Sequence, residues 1–449
     1  MTKLHYVVPA FVCALLAANF GCSSSDSSAD DSTSGAGGSA EGGDSTGGLS
    51  GSSTASGGTA FAGTGGAGTG VGGSGGVAKG GSGGVGTGGG NAAGAAGSSG
   101  KGGAGGGAPL PADPCIAANT CPPGTWVNVT PANAKQLDFG TGPMVGDPSR
   151  PSDLYMGGGG EGVWKSTDYG NKWAKINDTI PYVPMGYVLA VLPGPAPPTV
   201  IVAGYKVVHK STDGGVTFKD LPFNFPDSLY SIQIDPYDGK HLISGLHEVD
   251  GIVESTDGGD TWKYVGTGGF PGGGISWYVF FLDTGAAATT HDTWYAIAQN
   301  GGSSVITSNA GAQWKIPTGL NGFTHPHGNS QIFQKGDTIF TAGTGGPGDG
   351  LYKSTDKGQS FTKVLGGGLG ITWGTAKNVY TMWGWACSKC DLGASFQLAP
   401  LPAGTAFTKP AVPAGLNIGA NHIVVTSDGT HNIFVGTMWA AGVWRYIEP

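Results

Sequence analysis

Charged side chains are scarce in this chain. Asp, Glu, Lys and Arg together make up 12% of its 449 residues, against about 25% in a typical globular protein. The formal net charge is −8, whereas nucleic-acid-binding proteins concentrate positive charge on one face. The composition therefore argues against nucleic acid as a partner and fits an envelope or secreted protein.

The start of the chain lacks an apolar run long enough to span a membrane. Its apolar stretch, Tyr6 to Leu16, is too short for that purpose. The Gly21-Cys22 junction resembles the processing site of bacterial lipoproteins, although Asn19 stands where those proteins usually have Leu. The resemblance implies that residues 1–22 are a lipoprotein signal peptide and that Cys22 carries a lipid anchor to the membrane. An ordinary secretion signal is the alternative, so the expected location is the cell envelope, as an outer-membrane lipoprotein, or outside the cell.

Large side chains are nearly missing from residues 23–110, which consist mostly of Gly, Ser, Ala and Thr. Such a segment has too little apolar surface to offset the entropy of ordering its backbone. It is predicted to be a disordered linker, with a reach on the order of 50 Å by the scaling of Gly-rich coils.

Cysteine is limited to six residues, of which Cys13 and Cys22 belong to the signal peptide and the anchor. In an oxidising compartment the other four are expected to form two disulfides, with local pairing favoured over a cross-pairing of Cys121 with Cys390. A zinc site is the less favoured alternative, because structural zinc sites use tighter ligand spacings. The disulfide candidates are Cys115, Cys121, Cys387 and Cys390.

One eight-residue sequence motif occurs five times after residue 160. The copies are roughly 45 residues apart, which is the length of a four-stranded propeller blade. Each copy is flanked by short apolar strands, which predicts a hairpin between the third and fourth strands of a blade. The copies are Ser166–Trp173, Ser211–Phe218, Ser255–Trp262, Thr307–Trp314 and Ser354–Phe361.

This motif is an Asp box, S-x-D-x-G-x-[TS]-[WF]. It resembles the BNR repeats of the sialidase, sortilin and xyloglucanase group of β-propellers. Its Ser and Asp side chains suit hydrogen bonds to a tight turn, and its Gly suits a positive φ. Because every copy has the same local role, the boxes are predicted to be structural and not catalytic.

A seven-bladed, all-β propeller is predicted for residues 111–449, which are expected to be monomeric. The segment Lys389–Phe396 keeps the Asp, Gly and aromatic residue of a sixth box, although it lies only 35 residues beyond the fifth. Trp126 lies in a strand that has no blade of its own, and Gly442–Ile447 ends the chain without a box. Pairing these two strands closes the ring and removes two exposed sheet edges.

The face opposite the boxes gathers aromatic, amide and imidazole side chains, the types that stack on sugar rings and bind their hydroxyls. Packing between blades is the alternative role for each aromatic residue. The predicted substrate-binding residues are His247, Trp277, Tyr278, Asn329, Trp383, Trp385, Asn421, His422 and Trp439.

The densest cluster of ionisable residues on this face is Leu246-His-Glu-Val-Asp250. If Glu248 and Asp250 alternate on an extended loop, they point the same way, and Glu161 from another blade could face them. Two carboxylates across a cleft suit glycoside hydrolysis. His325 and His327 could instead orient substrate or act as the base of a polysaccharide lyase, and no cofactor or metal is predicted.

The resemblance also argues against some of the activities that are known in this group of propellers. Sialidases of this group clamp their substrate with three arginines, and this chain has only Arg150 and Arg445. The related xyloglucanases use two propellers, and the photosystem-assembly propellers carry an arginine-rich patch that this chain lacks. The sequence therefore favours a glycoside hydrolase acting on an extracellular polysaccharide, with a non-catalytic glycan-binding module or a protein-binding scaffold as alternatives.

Overall fold

Seven antiparallel β-sheets follow one another along the chain in the computed structural model. This arrangement confirms the predicted seven-bladed β-propeller. The structure describes residues 110–134, 142–157, 162–180, 188–204, 206–265, 270–271, 273–299, 302–325, 330–367, 370–382, 395–416, 419–438 and 441–449.

Nearly all regular structure in these residues is β-strand. In chain order the elements are α1 (Pro114–Ala117), β1 (Trp126–Asn128), β2 (Met144–Asp147), β3 (Arg150–Gly157), β4 (Val163–Ser166), β5 (Ala174–Asn177), β6 (Val188–Val191), β7 (Val200–Gly204), β8 (Val207–Ser211), β9 (Lys219–Leu221), β10 (Gln233–Ile234), β11 (Leu242–Gly245), β12 (Ile252–Ser255), β13 (Lys263–Val265), β14 (Tyr278–Phe281), α2 (Ala287–Thr290), β15 (Trp294–Ile297), β16 (Ser304–Thr307), β17 (Phe323–Thr324), β18 (Ile332–Lys335), β19 (Thr338–Gly345), β20 (Gly350–Ser354), β21 (Thr362–Gly366), β22 (Ile371–Gly374), β23 (Asn378–Met382), β24 (Gln397–Pro400), β25 (Ala420–Ser427), β26 (Asn432–Met438) and β27 (Gly442–Ile447).

Each blade is an antiparallel meander. The first three blades are β2 to β5, β6 to β9 and β10 to β13. Blade four is β14 to β16, extended by a bridge between Ile306 and Lys315. Blade five is β18 to β21, with the short β17 added beside β19, and blade six begins with β22 to β24. First strands of neighbouring blades contact one another, as β2 contacts both β6 and β25.

The last blade combines the two ends of the propeller. Strand β1 pairs with β27, placing Trp126 opposite Tyr446 and Asn128 opposite Trp444. The Trp126 ring also packs edge-on against Phe396 of the neighbouring blade, with ring centroids 5.4 Å apart. The predicted closure is therefore present, and β1 covers the edge of β27 that would otherwise be exposed.

A short segment before β1 reinforces this closure. Cys115 and Cys121 form a disulfide, as local pairing predicts, with Cα atoms 5.6 Å apart. Asp113 caps α1 by accepting hydrogen bonds from the Cys115 and Ile116 amides. Its second carboxylate oxygen accepts a bond from Arg445 of β27, and both side chains are fully buried. Residues Cys387 and Cys390 lie outside the described residues.

The boxes form the predicted turns between third and fourth strands. In the second box the Ser211 hydroxyl accepts a hydrogen bond from the Gly215 amide at 2.8 Å and donates to Asp213 at 2.7 Å. Bonds from the Thr217 hydroxyl and amide, and from Ser211, lower the pKa of Asp213 to about 2. Because the folded pKa is depressed below 3.8, the stability that this carboxylate adds is complete above that pH and is lost as the pH falls through about 2.

Ser211→Ala is expected to lower the free energy of unfolding by about 1–3 kcal/mol, because the buried Gly215 amide loses its acceptor. The matched control is Thr212→Ala in the same box, whose exposed side chain should contribute within about 0.5 kcal/mol. Urea unfolding of both variants measures the difference, and equal losses would contradict this role of the box serine.

The sixth turn lies later than the sequence predicts. Strand β24 begins after Phe396 and pairs with β23, so it is the third strand of its blade and the turn follows it. In that turn the Gly404 amide bonds the Pro400 carbonyl at 2.8 Å, and Gly404 has a φ of +59°. Leu398 then pairs with Thr408 in the outer strand. The degenerate box therefore runs from Pro400 to Phe407, and a backbone carbonyl replaces the serine hydroxyl as acceptor.

Among the described residues, no helix has the length and apolar character needed to cross a membrane.

Candidate functional site

The two ends of the blades form two different faces. Turns that join first to second and third to fourth strands lie on one side, which we call the box face. Loops that join second to third strands, or one blade to the next, lie on the other side, which we call the loop face. Among the loop-face residues that the structure describes, the ionisable side chains concentrate at blades two to four.

Backbone strain marks this part of the loop face. Seven non-glycine residues among those described have a positive φ, which L side chains rarely adopt. Three of them occupy the fourth position of a box, and Asn119 lies after α1. The remaining three are Lys206, Glu248 and Ser276, all in loop-face loops of blades two to four. Strained residues persist where the surrounding structure over-determines them, and they concentrate at functional sites.

Ser276 connects three loops of this cluster. Its buried hydroxyl accepts a hydrogen bond from the Glu248 amide at 2.9 Å. Its carbonyl accepts a bond from His325 Nε2 at 2.8 Å. The Glu248 loop is therefore held at its strained residue by the loops that enter blades four and five.

His247 lies between two carboxylates. Its Nδ1 is 3.7 Å from Asp227 Oδ1, and its Nε2 is 3.9 Å from Glu248 Oε1. The His247 amide bonds the Ser228 carbonyl, and the imidazole packs on the Tyr230 ring with centroids 5.0 Å apart. Burial lowers the pKa of His247 even though both carboxylates oppose the shift. Asp227 was missed by the sequence analysis because it belongs to no motif.

Asp250 is held by the indole of Trp277. The Trp277 Nε1–H donates to Asp250 Oδ1 at 3.1 Å, and Trp277 itself is fully buried against Phe270. Burial raises the pKa of Asp250, outweighing the hydrogen bonds from Trp277 and the Gly251 amide. Trp277 was predicted to be a sugar platform, but in this structure its ring is core and its contact with the site is the hydrogen bond to Asp250.

An aromatic surface borders Asp250. The Tyr264 side chain is 39% exposed, and the negative charge of Asp250 adds to burial in raising its pKa. Its ring meets Phe225 edge-on, with centroids 4.7 Å apart. A Cβ at Gly251, which has a φ of +140°, would lie 2.9 Å from the Tyr264 ring, so glycine is needed for the ring to lie this close to the Asp250 loop.

The other predicted site residues in the described part of the chain are buried. His325 is bonded to Ser276 in the interior, and Tyr278 of β14 packs edge-on against it at 4.9 Å. Asn421 and His422 lie at the start of β25, where burial lowers the pKa of His422 to about 3 and keeps the ring neutral. The predicted site residues that lie outside the described residues are Cys22, Glu161, His327, Asn329, Trp383, Trp385 and Trp439.

Comparison with solved structures finds this architecture in other proteins. The chain is 17% identical to the GH74 xyloglucanase from Xanthomonas campestris, with a TM-score of 0.51 over 72% of this chain and 53% of that enzyme. It is 18% identical to an ancestral GH74 enzyme, with a TM-score of 0.51 over 69% of this chain and 45% of that one. For YCF48 from Cyanidioschyzon merolae the values are 16%, 0.46, 72% and 99%.

The shared property is the β-propeller fold. The chain spans about half the length of the two GH74 enzymes, and at these identities the likeness extends no further than the fold. No protein-family profile matches this sequence, and no curated protein does.

The cluster combines the groups that acid–base chemistry on a sugar requires. Glu248 and Asp250 lie two residues apart in the loop between β11 and β12, and glycoside hydrolysis uses a pair of carboxyl groups. Asp250 supplies a carboxyl with a raised pKa, the property of a general acid. Glu248 is 58% exposed and reachable by substrate.

Proposed function

We propose that this protein is a glycoside hydrolase that acts on an extracellular polysaccharide at the loop face of blades two to four. The observation that carries the proposal is the placement of Asp250 beside the exposed Tyr264 ring, with the exposed Glu248 two residues earlier in the same loop. A sugar stacked on Tyr264 would bring its neighbouring glycosidic bond toward these two carboxyl groups.

The two carboxyl groups have different environments, and so they take different roles. Asp250, with its raised pKa and its bond from Trp277, protonates the leaving oxygen. Glu248 is exposed to solvent and either attacks the sugar carbon or activates a water, according to the separation of the two groups in the complex. His247 holds the Glu248 loop in place, because its imidazole lies between Asp227 and Glu248.

The comparisons are compatible with this function but do not establish it. Two of the similar structures are GH74 enzymes, one of them a xyloglucanase. This chain spans about half of each, so the support for the activity comes from the site.

The proposal is tested by incubating the full-length protein with a panel of plant and bacterial polysaccharides and analysing the products by mass spectrometry. New reducing ends are expected for at least one substrate. Unsaturated sugars would indicate lyase chemistry instead, and binding without products would leave the second candidate, a glycan-binding module.

The exposed aromatic surface favours that second candidate, and it gives a prediction shared by both. Tyr264→Ala is expected to weaken glycan binding by about two- to tenfold, because a ring contact is worth ~0.5–1.5 kcal/mol. Tyr264→Phe keeps the ring and serves as the control. Unchanged affinity of Tyr264→Ala for every glycan bound by the wild type would exclude this surface as the platform.

We further propose that the propeller works at the cell envelope, held by the lipid on Cys22 and the linker of residues 23–110. Secretion without an anchor is the alternative. Metabolic labelling with a lipid precursor distinguishes the two, since only an anchored Cys22 takes up the label.

A further inference from the structure

Three side chains of metal-ligating type from two neighbouring blades meet on the box face. Asp235 and His241 lie at the two ends of the turn between β10 and β11, and His291 follows α2 in the connection between β14 and β15. One ligand atom from each lies within 4.8 Å of the others. This cluster is on the opposite side of the propeller from the proposed catalytic carboxylates.

The ligand atoms are close to the spacing that a zinc ion requires. His241 Nδ1 is 3.0 Å from Asp235 Oδ2, and His291 Nδ1 contacts the same oxygen. A tetrahedral ion with bonds of about 2.0–2.1 Å holds its ligand atoms about 3.3 Å apart. A slight outward movement of His291, which is one third exposed, would admit the ion.

A second, independent contact has the form found around bound metals. The other nitrogen of His241, Nε2, is 2.8 Å from the buried carboxylate of Glu254, which is itself paired with Lys263 at 3.0 Å. Metal-bound histidines usually donate their second N–H to a carboxylate, which fixes the ring and directs the opposite lone pair at the ion. Glu254 orients His241 in this way, with Nδ1 facing Asp235.

The backbone around the cluster is also fixed. The Asp235 amide bonds the His241 carbonyl at 2.9 Å, and the Trp294 indole donates to the His291 carbonyl at 2.8 Å. Asp235 Oδ1 accepts from the Tyr237 amide at 2.8 Å, which leaves Oδ2 for the histidines. Asp235 and His241 are buried, whereas His291 is partly exposed to the solvent, which would supply a water as fourth ligand.

We propose that Asp235, His241 and His291 bind a divalent transition-metal ion, Zn²⁺ foremost, and that Glu254 positions the His241 ring. Two imidazoles and one carboxylate are a ligand set that zinc accepts. Because the ligands come from blades three and four, the ion would cross-link these blades on the box face. The ligands are separated by up to 56 residues, which is why no sequence motif indicates the site.

The test is calorimetric titration of Zn²⁺ into the full-length protein after chelation, with thermal unfolding in parallel. One site is expected to disappear in His291→Ala, together with the rise in melting temperature that Zn²⁺ gives the wild type. Glu254→Gln is expected to weaken the same site about 10- to 100-fold. His431→Ala is the matched control, since His431 also pairs with an aspartate, Asp428, at 3.1 Å.

Cobalt substitution separates this site from one built by cysteines. Co²⁺ bound here should give tetrahedral d–d absorption without a thiolate charge-transfer band, and His291→Ala should remove it. Wild-type Zn²⁺ binding no greater than that of His291→Ala, or a cobalt spectrum dominated by thiolate, would overturn the proposal. Glycan turnover should be unchanged in His291→Ala, so this result is independent of the proposed hydrolase activity.

Discussion

Replacing Asp113 with alanine is expected to lower the free energy of unfolding by about 3–5 kcal/mol, the usual cost of leaving one partner of a buried ion pair uncompensated. Asp113 and Arg445 are both fully buried. Arg445 also donates to the Tyr169 carbonyl of the first box at 3.0 Å, so the pair joins the N-terminal segment to blades seven and one. Urea unfolding measures the loss.

Two further variants separate the charge of Asp113 from its role as a helix cap. Asp113→Asn can still accept the bonds from the Cys115 and Ile116 amides but carries no negative charge, and it is expected to lose nearly as much as Asp113→Ala. The double variant Asp113→Leu with Arg445→Met buries no charge and should recover much of the stability. Wild-type stability of Asp113→Asn would show that the ion pair does not hold the ring closed.

Removing the proposed general acid is expected to lower kcat/KM on the cleaved polysaccharide by about 10²- to 10⁴-fold, the usual contribution of a positioned proton donor. Asp250→Asn keeps an acceptor for the Trp277 indole, so substrate affinity should be nearly unchanged. Because burial raises the Asp250 pKa, the wild-type rate should fall at high pH as Asp250 ionises, and this limb should vanish in Asp250→Asn.

Glu248→Gln is expected to cause a similar loss of turnover, because an amide can neither attack the sugar carbon nor activate a water. Asp337→Asn is the control, since Asp337 lies in an exposed turn on the box face. Full activity of both Asp250→Asn and Glu248→Gln would exclude the carboxylate pair, even if the protein cleaves glycans.

The fold could be predicted from the sequence because each box makes the hydrogen bonds of its own turn with residues that are close in sequence. Each copy satisfies its own turn through residues four apart, as Ser211 and Gly215 do, so five copies set the repeat length without tertiary information. The turn from Pro400 to Phe407 escaped recognition because a backbone carbonyl there does the work of the serine hydroxyl. A hydrogen bond from the backbone leaves no side-chain signature.

The site was predictable only in part. The loop from His247 to Asp250 stood out through its density of ionisable residues, and the structure places it at the centre of the cluster. The role of Trp277 could not be assigned from the sequence, because tryptophan is used both in buried cores and as an exposed ring that stacks on sugars. Tyr264 reaches the site through its contact with Phe225, and Asp227 through its contact with His247. Both contacts join residues far apart in the chain, so the periodicity of the sequence does not reveal them.

The most direct measurement of the proposed function is a crystal structure of the Asp250→Asn protein with a bound oligosaccharide from a cleaved polysaccharide. We expect one sugar ring stacked on Tyr264, with the glycosidic oxygen within hydrogen-bond distance of residue 250 and Glu248 beside the anomeric carbon. An oligosaccharide bound at blades five to seven, or anywhere that leaves Glu248 and residue 250 without contact, would contradict the assignment of this cluster as the catalytic site.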